Sequence, residues 1–206
     1  MHESVVKTKR LTEAAAAAAI AAMFVLLKLA APFLVVVTMI VSPAPIAAVA
    51  CFSGMRWALG TSAAVILLVM MTGGPEIGLT TAVYAGALGL AMGYGFRRGF
   101  SYRKTMGLTL AAYLVEMTYK IIFSVQVLGL PVLTGGAQER YTEFLHWVTE
   151  AIVAHFGVTM AEGELIFTAC AGLSLALLLL LDGVCYTYLS MELFSVLLKR
   201  LRAARR

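Results

Sequence analysis

Glu116 and Lys120 are ionisable residues inside an otherwise apolar stretch, residues 106–127, which reads MGLTLAAYLVEMTYKIIFSVQV. Their spacing of four places both on one helix face, with the acid before the base, which is the favourable order for an ion pair. A charge at mid-bilayer depth costs several kcal/mol, so such residues usually face protein or water and pair with each other. These two residues, together with Tyr113 on the same helix, either line a substrate-binding pocket or form a structural pair that fixes helix packing.

The sequence contains no motif for a catalytic centre, a metal site or a cofactor. It lacks the G-x-x-x-x-G-K-[ST] phosphate-binding loop, an H-E-x-x-H spacing and a G-x-S-x-G nucleophile motif. The glycine-rich segment 93–99 ends a predicted membrane helix and has no preceding strand, so we interpret its glycines as packing residues. We interpret Asp182 as structural. We therefore expect a non-enzymatic protein without a metal or a cofactor, in which active transport would need energy from a partner or an ion gradient.

The composition is that of an integral membrane protein. Hydrophobic residues make up 61% of the 206 residues and charged residues 13%, and the mean hydropathy is +0.91. The net charge is +5, but the basic residues lie at predicted helix ends, which argues against nucleic-acid binding. The three cysteines are scattered singly and resemble small apolar residues. We predict a single all-α membrane domain in contact with lipids.

Apolar runs of spanning length predict six transmembrane helices. Two prolines, Pro43 and Pro45, interrupt the second run and predict a kinked or discontinuous helix. In the fourth, Gly89 and Gly93 form a small-xxx-small pair suited to close helix approach. The sixth run can continue as one long helix to the basic tail. The approximate predicted bounds are 11–31, 33–54, 57–72, 76–96, 105–128 and 164–185.

A polar segment separates the fifth and sixth predicted helices. Within residues 138–156, apolar side chains such as Tyr141, Phe144 and Val148 recur at helical spacing between acidic residues. The pattern predicts an amphipathic helix outside the membrane, either a lid or a helix lying on the lipid surface.

The distribution of Lys and Arg predicts the orientation. Six spans place both termini on one side, and assigning that side to the cytoplasm satisfies the positive-inside rule in the plasma or inner membrane. The amphipathic segment is then external. The cytoplasmic side receives thirteen of the 16 basic residues: Lys7, Lys9, Arg10, Arg56, Arg97, Arg98, Arg103, Lys104, Lys199, Arg200, Arg202, Arg205 and Arg206.

This orientation places the ionisable residues in the outer half of the membrane. At about 1.5 Å per residue, Glu116 and Lys120 lie roughly 18 and 24 Å from the inner end of their helix. Lys28 reaches a similar outer level, and Glu76 opens the fourth helix on that side. One interpretation is that these four residues cluster near an outward-facing cavity. For Lys28 we favour the alternative that its side chain reaches out to the membrane interface.

The alanine tract of the first helix predicts a smooth packing surface. Ala14, Ala18 and Ala22 share one face and Ala15 and Ala19 adjoin it, so another helix backbone can approach closely. The approaching helix belongs either to this chain or to a second protein.

The sequence resembles the substrate-binding S components of energy-coupling factor (ECF) transporters and, more closely, the YybS-like membrane proteins of the same broader group. The resemblance rests on LTEAAAAAAI, SPAPIAAVACFSGMRWAL, GALGLAMGYGFRRG, the amphipathic segment and the final YLSMELFSVLLKRL. It implies a six-helix fold and a vitamin- or metal-scavenging type of role. It also implies docking of the alanine face on a transmembrane coupling subunit that sits on two ATPase subunits. None of the known vitamin-site signatures is present.

Two functions follow as hypotheses. In the first, the protein captures a small polar solute from outside and docks on an ATP-driven coupling module. In the second, it is a membrane scaffold that organises partners through its helix faces and amphipathic segment without transporting anything. An enzyme is the least favoured class, because no acid, base and nucleophile set is visible.

Overall fold

A computed structural model describes residues 2–126, 143, 144, 146–148, 150 and 160–204. These residues contain helices and turns and no strand. The chain divides into two compact units by its internal contacts. Unit 1 comprises Met1–Lys120 and Gly183–Arg206, and unit 2 comprises Ile121–Asp182.

The helices follow one another with short connections in the first half of the chain. A 3₁₀ turn, Pro32–Leu34, precedes α2, and a π-helical segment, Ala82–Ala87, joins α5 to α6. The helix bounds are α1 His2–Ala30, α2 Val35–Val41, α3 Pro43–Phe52, α4 Met55–Gly73, α5 Pro75–Thr81, α6 Leu88–Arg98, α7 Tyr102–Gln126 and α8 Met160–Ala204.

Six helical stretches of the described chain are long and apolar enough to cross a membrane, which confirms the predicted all-α fold with six spanning helices. The first helix begins at His2 instead of Leu11, and the last continues to Ala204 as one long helix. Most of the predicted amphipathic segment, residues 138–156, lies outside the described residues. The spans are Val5–Leu27, Val35–Phe52, Met55–Gly73, Pro75–Arg98, Tyr102–Phe123 and Gly172–Ala203.

The second span is broken where its prolines predict. The α2 helix ends at Val41, and Pro43 occupies the first turn of α3, where its missing N–H removes no helical hydrogen bond. Ser42 lies at the junction, and its hydroxyl donates to the Met39 carbonyl at 3.0 Å. The spanning stretch Val35–Phe52 is therefore two helices.

The glycines of α6 bring it against α3, as their spacing predicts. A Cβ atom at Gly93 would lie 2.5 Å from the Cβ of Ala50 and 2.9 Å from the Ala47 carbonyl oxygen. A Cβ at Gly89 would lie 2.8 Å from the Pro43 carbonyl oxygen. Because these neighbours are backbone or Cβ atoms, they cannot rotate away. Glycine is what permits this approach.

The alanine face of α1 packs inside the protein. Ala14, Ala18 and Ala22 are buried, and they belong to clusters that include residues of α3 and α4. The helix that covers these three alanines is therefore intramolecular, and they cannot also present a free docking surface. Ala15 and Ala19, on the adjoining face, are exposed. A docking surface on α1 is thus restricted to the face of Ala15 and Ala19, here named the docking strip.

A polar contact ties α1 to the end of α3. The buried Ser53 hydroxyl donates to the Glu13 carboxylate at 2.7 Å, and Glu13 is half-buried. Both residues line a mainly apolar groove of about 530 Å³. The Ser53 hydroxyl thus supplies a donor to a charge that has lost part of its water.

We expect Ser53→Ala to lower the free energy of unfolding by about 1–3 kcal/mol, because the Glu13 carboxylate loses a donor in a partly buried place. Ser195→Ala is the control, since that hydroxyl donates to the Glu192 carbonyl of its own helix in an exposed position. Equilibrium denaturation in detergent micelles measures both. Equal effects of the two changes would show that the contact with Glu13 adds nothing to stability.

Unit 2 contains a stacked aromatic pair. The rings of Phe144 and Trp147 lie 6.2 Å apart between centroids and are inclined by 30°. Both side chains are more than half exposed. Their spacing of three puts them on one helix face.

Candidate functional site

The face of α7 that turns into unit 1 is polar over most of its length. Thr105, Thr109 and Tyr113 are fully buried, and Glu116 and Lys120 are half-buried further along the helix. These positions recur every three or four residues, so they form one stripe. Threonine is common at packed faces of membrane helices, so the distinctive residues of the stripe are Tyr113, Glu116 and Lys120.

Three tyrosines gather where this stripe meets α6 and α8. The Tyr84 and Tyr113 hydroxyls lie 3.4 Å apart, and the Tyr84 and Tyr186 ring centroids lie 4.9 Å apart. A Cβ at Gly183 would lie 2.6 Å from the Tyr113 ring, so the absence of a side chain there lets that ring sit against α8. The cluster places phenol groups in the interior of unit 1.

The π-helical segment Ala82–Ala87 carries Tyr84 into this cluster. A π turn has one residue more than an α turn, which rotates the following side chains and leaves backbone carbonyls with weaker partners. Such single turns occur most often at functional sites. Gly86 lies in the same segment, and a Cβ there would be 2.9 Å from the Ser62 hydroxyl, so the widened turn is packed tightly against α4.

A small space lined by hydroxyl-bearing residues adjoins Tyr84, although the surface that faces the space is apolar. Four side chains of α2, α5 and the α2–α3 junction supply the hydroxyl groups, and each donates to a carbonyl of its own helix segment at 2.7–3.0 Å. The oxygen atoms are therefore left as acceptors. The space has a volume of about 10 Å³, room for about one water molecule. Its lining is Val25, Thr38, Met39, Ser42, Thr80, Thr81 and Tyr84.

The residues singled out by sequence are partly brought together. Among the described side chains, the carboxylate whose charge acts on Lys120 is that of Glu76, in the first turn of α5. Glu116 lies one turn before Lys120 on α7 and is half-buried. The side chain of Lys28 lies outside the described residues. Glu76 is exposed at the start of α5, close in sequence to the hydroxyls of Thr80 and Thr81, and its negative charge attracts the Lys120 side chain of α7.

Sequence reasoning missed the hydroxyl and tyrosine groups. Thr80, Thr81 and Tyr84 fall within one helical turn of each other, which is a signal for a shared polar face. Gly89 and Gly93 predict close packing further along the same span, and their spacing gives no indication of a polar face at its start. Thr38 and Tyr186 come from other helices, and only the tertiary structure brings them near Tyr84.

A family model described as "Predicted membrane protein (DUF2232)" matches residues 19–205 of the chain. The chain belongs to the DUF2232 family. No curated protein matches the chain, and no solved structure matches it.

The DUF2232 match covers the polar interior and omits the start of α1. Glu76, Tyr84, Tyr113 and Lys120 lie within the matched residues, whereas Ala14, Ala15 and Ala18 precede them. Membership in DUF2232 supports the membrane assignment made from composition. The family description names no substrate and no partner.

Proposed function

We propose that this DUF2232 protein is a non-enzymatic solute-binding subunit that captures a small polar solute at the outer side of the cell membrane. It then docks on an ATP-driven coupling module, in the manner of the S components of ECF transporters. The YybS-like resemblance of the sequence leads to the same proposal. The polar interior of unit 1 is the capture site, and the exposed face of α1 is the docking strip.

The observation that carries the capture proposal is the π-helical segment that places Tyr84 beside a space lined by hydroxyl-bearing residues. A turn of this kind costs helical hydrogen-bond quality and is rarely kept without a use. Beside it lie Tyr113 and the Lys120–Glu76 charges. Tyr113 is fully buried and Lys120 is half-buried, whereas Glu76 is exposed at the start of α5.

The chemistry of the lining restricts the solute. Once the space opens, the four hydroxyl oxygens of its lining residues can accept hydrogen bonds, so we expect a solute that carries donors. Lys120 and Glu76 add one charge of each sign near the same helix. A small neutral or zwitterionic molecule with N–H or O–H groups fits this set of charges and acceptors.

The present structure is the closed form of the proposed site. A space of about 10 Å³ admits one water, so a solute enters only when α2 or α5 moves. Interruptions between helices allow such a movement of both α2 and α5. The α2 helix ends at the Ser42–Pro43 junction, and α5 begins after Gly74, whose φ of 90° is a glycine conformation.

The positive-inside rule supports the direction of capture. Arg10, Arg56, Arg97 and Arg98 line one cavity, so they lie at one end of unit 1, here named the basic end. The rule assigns the basic end to the cytoplasm, together with both termini. Glu76 follows the turn after α4 at the opposite end of that helix, which is then the outer end.

We expect Ala19→Trp to reduce co-purification with an ECF-type transmembrane coupling subunit and its ATPases about tenfold, because a bulky side chain prevents close helix approach. Ala15 and Ala19 are exposed, so this change spares the core. Leu67→Trp, at an exposed position on α4, is the matched control. Affinity purification from co-expressing membranes measures the yield of each subunit. Absence of the subunits from the wild-type preparation, or equal yields for both variants, would contradict the docking proposal.

The exposed Phe144–Trp147 pair favours the scaffold as the second candidate function. Stacked, exposed aromatic rings suit a protein partner or the membrane interface. A scaffold would retain a protein partner through this pair and would contain no solute. Loss of a partner on Trp147→Ala, from a protein without bound solute, would favour it.

A further inference from the structure

The basic end of unit 1 carries an open cavity of about 620 Å³, lined by exposed arginines, that is distinct from the proposed capture site. We propose that this cavity binds the phosphate group of an anionic phospholipid. Its volume falls within the roughly 300–1,000 Å³ typical of ligand sites. The side chains that define it are Arg10, Arg56, Arg97, Arg98, Trp57 and Tyr94.

Two of the arginines around the cavity, Arg97 and Arg98, have neutral partners. Arg97 donates to the Ala50 carbonyl at 3.4 Å, and the Arg98 guanidinium lies 5.5 Å from the centre of the Tyr94 ring. The residues that line the cavity include no carboxylate. Glu13, which accepts from Ser53 near this end, supplies one negative charge against four positive ones. The cavity therefore keeps an excess of positive charge for an anion.

Backbone donors supplement the arginines. The 19-residue α4 begins at Met55, directly after Gly54, whose φ is 111°. The first hydrogen bond of α4 is made by the Ala58 N–H, so the N–H groups of Met55, Arg56 and Trp57 precede the helical ladder. Among the described residues, no side chain caps this terminus. A helix N-terminus inside an arginine-lined cavity is the arrangement that binds phosphate.

An adjoining apolar groove favours a lipid as the source of the phosphate. The groove of about 530 Å³ shares Ser53 with the basic cavity, and its lining includes Ile20, Phe24, Phe52 and Leu197. A phospholipid can place its headgroup in the cavity and an acyl chain in the groove. The positive-inside rule explains why basic residues are on this side, but not why four of them surround one helix terminus beside an apolar groove.

Trp57 provides a fluorescent reporter inside the cavity. The chain has two tryptophans, so Trp147→Phe leaves Trp57 as the sole one. The full-length protein in maltoside micelles is titrated with dihexanoylphosphatidylglycerol, dihexanoylphosphatidylcholine or inorganic phosphate. Arg56→Gln and Arg10→Gln test the cavity. Arg103→Gln, an exposed arginine outside the cavity lining, makes the same charge change as a control.

We expect saturable binding of phosphatidylglycerol, about tenfold weaker for Arg56→Gln and Arg10→Gln because a charge-assisted hydrogen bond is lost. Arg103→Gln should bind like the parent, and phosphatidylcholine should bind more weakly. An equal, variant-dependent response to inorganic phosphate would keep the anion site and assign its ligand to free phosphate instead of lipid. If the cavity variants match Arg103→Gln, or if no probe changes Trp57 fluorescence, the proposal is overturned.

Discussion

Replacing Gly93 with alanine should lower the free energy of unfolding by about 1–3 kcal/mol, the usual cost of overpacking a tight contact. The new Cβ would lie 2.5 Å from the Cβ of Ala50 and 3.0 Å from the Cα of Ala47. Neither atom can rotate away, so α6 must move off α3. Equilibrium unfolding of the purified protein in detergent micelles measures the change.

Gly60→Ala is the matched control for this experiment. Gly60 is also a helical glycine, in α4, but a Cβ there meets no atom within 4 Å. We expect this change to be neutral or stabilising, since alanine has the higher helix propensity. A loss of stability as large as that of Gly93→Ala would mean that close packing of α6 on α3 is not what Gly93 provides.

Lys120→Ala should reduce the amount of solute retained by the protein about tenfold or more. The change removes the cation that interacts with Glu76 and leaves the hydroxyl groups in place. A hydrogen bond to a charged group contributes about 1.5–3 kcal/mol, which corresponds to at least a tenfold loss of affinity. Native mass spectrometry measures the occupied fraction of each variant.

Lys104→Ala removes an exposed lysine at the start of the same helix and serves as the control. It should retain solute like the wild type. Unfolding of both variants is measured in parallel, so that a loss of solute binding can be separated from a loss of stability. Removal of a half-buried charge need not destabilise the protein. Equal occupancy in the two variants, with both folded, would show that Lys120 does not contribute to solute binding and has only a structural role.

The sequence predicts those features of the fold that depend on local signals. Apolar run length defines the six spans, Pro43 marks the break between α2 and α3, and the Gly89–Gly93 spacing marks the contact of α6 with α3. Each signal has a local physical cause. Run length reflects the thickness of the bilayer, proline lacks an N–H, and glycine lacks a Cβ. These features therefore need no knowledge of neighbouring helices.

The candidate site depends on tertiary contacts that local signals do not contain. The spacing of Glu116 and Lys120 predicts a pair within one helix, whereas the charge that acts on Lys120 in the described structure belongs to Glu76 of α5. The alanine spacing predicts that Ala14, Ala18 and Ala22 form a face of close approach, but it does not indicate whether the covering helix belongs to this chain. No pattern on α6 alone predicts the π-helical turn that carries Tyr84 to Tyr113.

Native mass spectrometry of the wild-type protein, purified from its own membranes in maltoside, tests the capture of a polar solute most directly. The proposal predicts one small polar molecule per chain, released when the protein unfolds and absent from a phospholipid standard. A folded chain that carries only phospholipid, and that takes up nothing further when a small-molecule extract of the same cells is added, would contradict it.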